Sequence, residues 1–199
     1  MPKPLFRAGF VTGDGSVSER NSFVQLDGKS LTTPESIDQK VASFCRSLSS
    51  ETPVYVEVHP EPWCRQSCCE MNVGRLIEKD GGKKVIGYKI WYKKNKYIEA
   101  ERHVIWKKDG ALIDPTFNTD GEKKVLFLPD SNASKEYEDR PIKIRKGFTQ
   151  RSRLFAKQQD ENDRNIVRMS NEESWERMLS YEDWLAGKRM PNVWREPSR

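Results

Sequence analysis

The chain has no long apolar run. No stretch of its 199 residues approaches the ~20 apolar residues of a membrane-spanning helix. The opening stretch MPKPLFRAGFVTGDG, residues 1–15, lacks the unbroken apolar segment of a secretion signal. Membrane association is therefore not expected, and a cytoplasmic location is. Histidine is scarce, with two in all, so few groups are available for proton transfer near neutral pH. Cysteine is limited to Cys45, Cys64, Cys68 and Cys69. In a chain of this size without an export signal these read as free thiols in a reducing compartment. There is no internal repeat and no low-complexity tract, and no cofactor is expected.

Apolar residues make up 35% of the chain and charged ones 33%. A core forms only if the apolar residues are concentrated, and they are, between Val41 and Leu128. Net charge is +5, and it is uneven. The run RPIKIRKGFTQRSRLFAK starts at Arg140, ends at Lys157 and contains no acid. It reads as a solvated face, or as a dock for nucleic acid or an acidic protein. The segment from Asp160 to Asp183 is net acidic, which argues against a tail devoted to nucleic acid.

Three divisions follow. Residues 1–33 are rich in Gly, Ser, Asp and Thr and form an irregular lead-in. Residues 34–130 carry the core. Residues 131–199 are a linker followed by a charged helical extension. In the core, TPESIDQKVASFCRSL predicts a helix with Thr33 as N-cap and Pro34 first. Ile37, Val41, Phe44 and Leu48 form its stripe, and Cys45 fills space beside it. TPVYVEVHP alternates as a strand ended by Pro60. SCCEMNVGRLIEK reads as a second helix, opened by the Ser67–Glu70 capping box. KVIGYKIWYKK, KYIEAERHVIWKK, ALIDPT and KKVLFLPD then predict an antiparallel meander with hairpin-like connections. In the extension, Ser170–Glu173 and Ser180–Asp183 open two short helices. Trp175, Met178, Leu179, Trp184 and Leu185 are available to pack them on the core.

The chemistry gathers around WCRQSCCEMNV, residues 63–73. With Ser67 as cap, Cys69 shares a helix face with Val73, Leu76 and Ile77 and points toward the sheet. Cys68 shares a face with Asn72 and Arg75 and points away. A thiol at a helix N-terminus is biased toward thiolate, the nucleophilic form. His103 lies on a later strand, and Asp114 follows on the next, across the KKDG turn. That separation lets a hairpin bring imidazole and carboxylate together. The plain alternatives are a buried structural thiol, a core histidine satisfied by a carboxylate, and a turn-forming Asp before Pro.

The order Cys at a helix start, VIGY on a strand, then RHVIWKKDGALIDPT resembles the transglutaminase-like branch of the papain-like cysteine enzymes. The words CEMNV, His-x-x-Trp and Leu-x-Asp are similar to those of uncharacterised bacterial and phage members. The resemblance covers residues 53–130. It implies an α+β fold in which the nucleophile helix packs on an antiparallel sheet. It also implies Cys69 as nucleophile, His103 as general base and acid, and Asp114 as the orienting carboxylate, acting on a protein or peptide substrate. By position, Gln66, Trp63 and the Cys69 N–H are candidates for the oxyanion hole. Asn72 is a candidate for site support through the C-x-x-N-V match, and Trp106 packs in the core or shields the His–Asp pair.

Two rival readings remain. One is zinc bound by His59, Cys64, Cys68 and Cys69. Its spacing departs from the paired ligands of structural sites, and adjacent helical cysteines diverge by about 100°. The other is a catalytically inactive member of the same fold that binds a protein or nucleic acid through the basic C-terminal region.

Overall fold

The computed structural model describes residues 31–131, 143–165 and 169–190. The segments 1–30 and 132–142, which include most of the expected lead-in and linker, lie outside the described residues, as do 191–199. The fold is α+β: six strands and five helices among the described residues.

The first helix, α1, is Gln39–Arg46, shorter than the sequence predicts. Asp38 is its N-cap, not Thr33, and the Asp38 carboxylate accepts from the Lys40 and Val41 N–H groups. Ile37 consequently falls outside the helix and is exposed. Val41, Phe44 and Cys45 pack against Tyr88, Ile90, Ile98, Ala100, Leu126 and Leu128 to form the largest cluster of the core.

β1 (Val54–Val58) leads by a turn into α2 (Cys69–Asp80). β2 (Lys83–Lys93), β3 (Tyr97–Lys108), β4 (Ala111–Asp114) and β5 (Lys124–Pro129) are the four expected strands. Their arrangement is not a plain meander. β2 pairs with both β3 and β5, β1 lies between β5 and β4, and β4 returns to β3, so five strands close into a barrel. The closing contact, β1 with β4, is parallel. β3 makes this possible because it is long enough to change partner along one edge. Trp106 to Lys108 pair with β4, and Tyr97 to Glu101 pair with a sixth strand, β6 (Lys143–Gly147).

β6 falls within the basic run. Its alternation sets Lys143 opposite Glu101 and Arg145 opposite Glu99. Lys143 pairs with both carboxylates at 3.4–3.5 Å. Arg145, whose side chain is 4% exposed, reaches Asp160 and Asp163 of α3 (Gln150–Arg164) at 2.6 Å each. Two cations that read as surface charge thus tie β6 to its neighbours, Lys143 to β3 and Arg145 to α3.

α4 (Asn171–Arg177) and α5 (Tyr181–Leu185) begin at Ser170 and Ser180, as the sequence predicts. Met178 is buried, Trp175 faces Trp63, and Trp184 packs on Phe117. Leu185 is 62% exposed and takes no part in this packing. No helix among the described residues is long and apolar enough to cross a membrane.

Candidate active site

Cys69 is the first residue of α2 and is 5% exposed. It packs with Val73 of its own helix and Val104 of β3, as the helix-face argument requires. The cap differs from expectation. Ser67 has φ 58, a left-handed backbone, and Cys68 is the N-cap without a side-chain hydrogen bond. The loop before the helix is held instead by Asn72. Its Nδ2 donates to the Arg65 carbonyl at 2.8 Å and to Thr116 Oγ1 at 3.1 Å. Its Oδ1 accepts from the Arg65 N–H at 2.8 Å. The loop folds over that side of the helix, so Asn72 and Cys68 are buried and do not face outward.

The C-terminal extension fastens the same loop from outside. The Gln66 N–H donates to the Leu179 carbonyl, and the Tyr181 N–H to the Cys64 carbonyl, at 2.9 and 2.8 Å. The residues preceding Cys69 are thus fixed by three parts of the chain: α2, the loop after β4, and the extension.

His103 on β3 and Asp114 at the end of β4 meet as expected, with Nε2 to Oδ2 at 2.9 Å. Asp114 is fully buried and its Oδ1 accepts from the Thr116 N–H at 2.8 Å. Burial works against the charged form of this carboxyl. His103, Lys89 and the Thr116 hydrogen bond outweigh it and hold the group down at about 2. Burial likewise opposes the imidazolium of His103. The Asp114 charge, aided by that of Cys69 and resisted by Lys89, raises His103 to about 9. Cys69 and His103 line one cavity of about 520 Å³, where a thiolate at Cys69 would favour the imidazolium. The other three thiols are buried too, and none of them forms a disulfide. Burial pushes Cys45 to about 11 and Cys64 and Cys68 to about 12, so they are held protonated.

Of the expected supporting residues, Gln66 lines the cavity beside Cys69. Trp63 does not; its ring faces Trp175 at 6.4 Å between centroids. Trp106 packs against the Cys69 cluster, and its indole N–H donates to the Gly81 carbonyl at 2.9 Å, away from the His–Asp pair. His59 is exposed at the end of β1, whereas Cys64, Cys68 and Cys69 are buried. Among the described residues no group of three His, Cys, Asp or Glu side chains is placed to hold a metal ion.

The sequence reading missed Lys89. This β2 residue is 4% exposed, lines the cavity, and places its ammonium 3.1 Å from Asp114 Oδ2. The signal was a lone lysine inside the apolar run VIGYKIW, at the same strand parity as Trp91 and Gly87. Opposite them on β3 are Glu99, Glu101 and His103. No protein-family model, no curated protein and no solved structure matches the chain.

Proposed function

We propose that this chain is a cysteine-dependent acyl-transfer enzyme that forms a thioester at Cys69. Its class is amide hydrolase, peptidase, deamidase or transglutaminase. One observation carries the reading. A thiol at the start of a helix shares a cavity with an imidazole that is locked by a buried carboxylate. A thiolate at Cys69 would favour the imidazolium of His103, as a thiolate–imidazolium pair requires.

The Cys69 thiolate attacks the acyl carbonyl carbon. As the C–N bond breaks, the His103 imidazolium gives its proton to the departing amine. Water or a second amine then attacks the thioester, His103 takes the attacker's proton, and the thiolate leaves. Asp114 keeps the ring oriented and its charge compensated throughout. Gln66, which lines the cavity, is the candidate donor to the tetrahedral oxyanion. A Cys-bearing helix on a sheet whose successive strands bring His and Asp is also what the transglutaminase-like, papain-like resemblance implies.

The rival reading, a binding module using the basic C-terminal region, loses weight because Lys143 and Arg145 are engaged in internal ion pairs. The test is alkylation with iodoacetamide near pH 6, followed by peptide mapping. Cys69 is expected to react first, and His103→Ala is expected to slow it at least tenfold. If Cys69 reacts no faster than Cys64, or is indifferent to His103→Ala, the proposal fails.

A further inference from the structure

The cavity wall contains a cation that the Cys–His–Asp chemistry does not call for. Lys89 Nζ lies 3.1 Å from Asp114 Oδ2, the same oxygen that meets His103 Nε2 at 2.9 Å. It also donates to Asn118 Oδ1 at 3.0 Å and stands 5.6 Å from the Trp91 ring centre. With Oδ1 taken by the Thr116 N–H, both oxygens of Asp114 are committed, and one of them is divided between ring and ammonium. A buried ammonium is costly to desolvate, and an apolar side chain would fill a strand position with less penalty.

We infer that Lys89 is a positioning residue for His103: sharing the Asp114 oxygen, its ammonium loosens the carboxylate's hold on the imidazolium and makes the ring's proton easier to release. The charges that act on His103 come from four elements. Asp114 on β4, Cys69 on α2 and Glu101 on β3 itself favour the imidazolium, while Lys89 on β2 opposes it. Lys143 of β6 pairs with Glu101 and blunts its share. Without Lys89 the ammonium's opposition to the carboxylates is gone, and burial and the Lys143–Glu101 pair remain. An imidazolium bound too firmly is a poor acid toward a leaving amine, because proton transfer is most effective when donor affinity lies near the working pH. This consequence for catalysis rests on the proposed acyl transfer. The coupling between Lys89 and His103 does not.

The chain's two histidines make a direct measurement simple. Ring-proton NMR of the full chain is followed against pH, with His59→Gln to assign the two signals. In Lys89→Met the His103 midpoint is expected to rise by about one pH unit. Lys89→Gln, which keeps a donor for Asp114 without the charge, is expected to do the same. Lys89→Arg, which restores the charge, is expected to bring the midpoint back toward that of the unmodified chain. An unchanged or lowered midpoint in the two neutral variants, or loss of the fold in both, overturns the assignment and leaves Lys89 as a structural partner of Asp114. The readout is independent of Cys69 reactivity. A shifted midpoint without selective labelling of Cys69 would count against the acyl-transfer reading and not against Lys89.

Discussion

Replacing His103 with Gln should remove a specific portion of the pH dependence of stability. His103 is 5% exposed, and its proton affinity rises from the ordinary 6.5 to about 9 in the folded chain. At 1.36 kcal/mol per tenfold change in affinity, this is about 3 kcal/mol of stabilisation. Because the folded-state value is the higher one, the contribution is fully present below pH 6.5. It declines as pH rises and is nearly gone above pH 10. Asp114 is shifted the other way, to about 2. Its stabilisation is present above its ordinary value of 3.8 and lost as pH falls through 2, outside this window. The variant should fold, because Asp114 keeps Lys89 at 3.1 Å and the Thr116 N–H at 2.8 Å and is not left an unpaired buried charge. The assay is urea unfolding of both proteins at pH 6 and pH 10, read by tryptophan fluorescence. The gap between them should shrink by about 3 kcal/mol from the lower pH to the higher. In melting temperature, about 2–4 °C per kcal/mol for a chain of this size predicts a change of roughly 6–12 °C. A gap of equal size at both pH values would refute the argument, since it would mean that His103 enters folding with no excess affinity for its proton.

Gly87→Ala tests the backbone beneath the site. Gly87 pairs with both His103 and Pro129, and an added Cβ would overlap the Leu128 carbonyl oxygen and sit 2.6 Å from the Phe127 ring. The expected loss is about 2–3 kcal/mol in the urea midpoint, and a neutral result would show that β2 and β5 are not in close approach there. Asn72→Ala should cost about 2–3 kcal/mol, because it removes the side-chain partner of the Arg65 N–H and of Thr116 Oγ1 and leaves the Arg65 carbonyl only the longer bond from the Cys68 N–H. It should also slow alkylation of Cys69. Undiminished labelling would show that the loop is held by the C-terminal extension alone.

The positions of the three groups of the proposed site were legible because each is announced by a local signal. Cys69 lies at the start of a helical period, His103 sits inside a strand, and Asp114 follows it across a short turn. What surrounds them was not legible, because it depends on pairings between distant strands. Lys89 reads as one polar residue in an apolar strand. Its meaning appears only when the β2–β3 register sets it opposite Glu101 and two residues from the Gly87–His103 pair. The Ser67–Glu70 capping box failed for a related reason. Its spelling is correct, but the Asn72 bonds to Arg65 and the Gln66 bond to Leu179 hold the loop where Ser67 must turn left-handed. A cap worth about 1 kcal/mol yields to several tertiary hydrogen bonds acting together.

The fold shows the same division between near and far. Strands β2 to β5 were found almost to the residue from alternation and turn residues. Closure of the barrel was not, because the β1–β4 pairing is parallel and joins segments separated by a helix and two long strands. β6 was missed because charge concealed its alternation. Lys143 and Arg145 share one face with a spacing of two, and that face meets Glu101 and Glu99 on β3, with Asp160 and Asp163 of α3 beyond Arg145. Ile144, on the other face, packs against the largest core cluster. A basic run and an amphipathic strand can therefore be the same residues when the polar face finds acids of its own chain. The acidic stretch that follows from Asp160 supplies half of that partnership, so the charge asymmetry of the sequence is, in part, the ion-pair code of one strand and one helix.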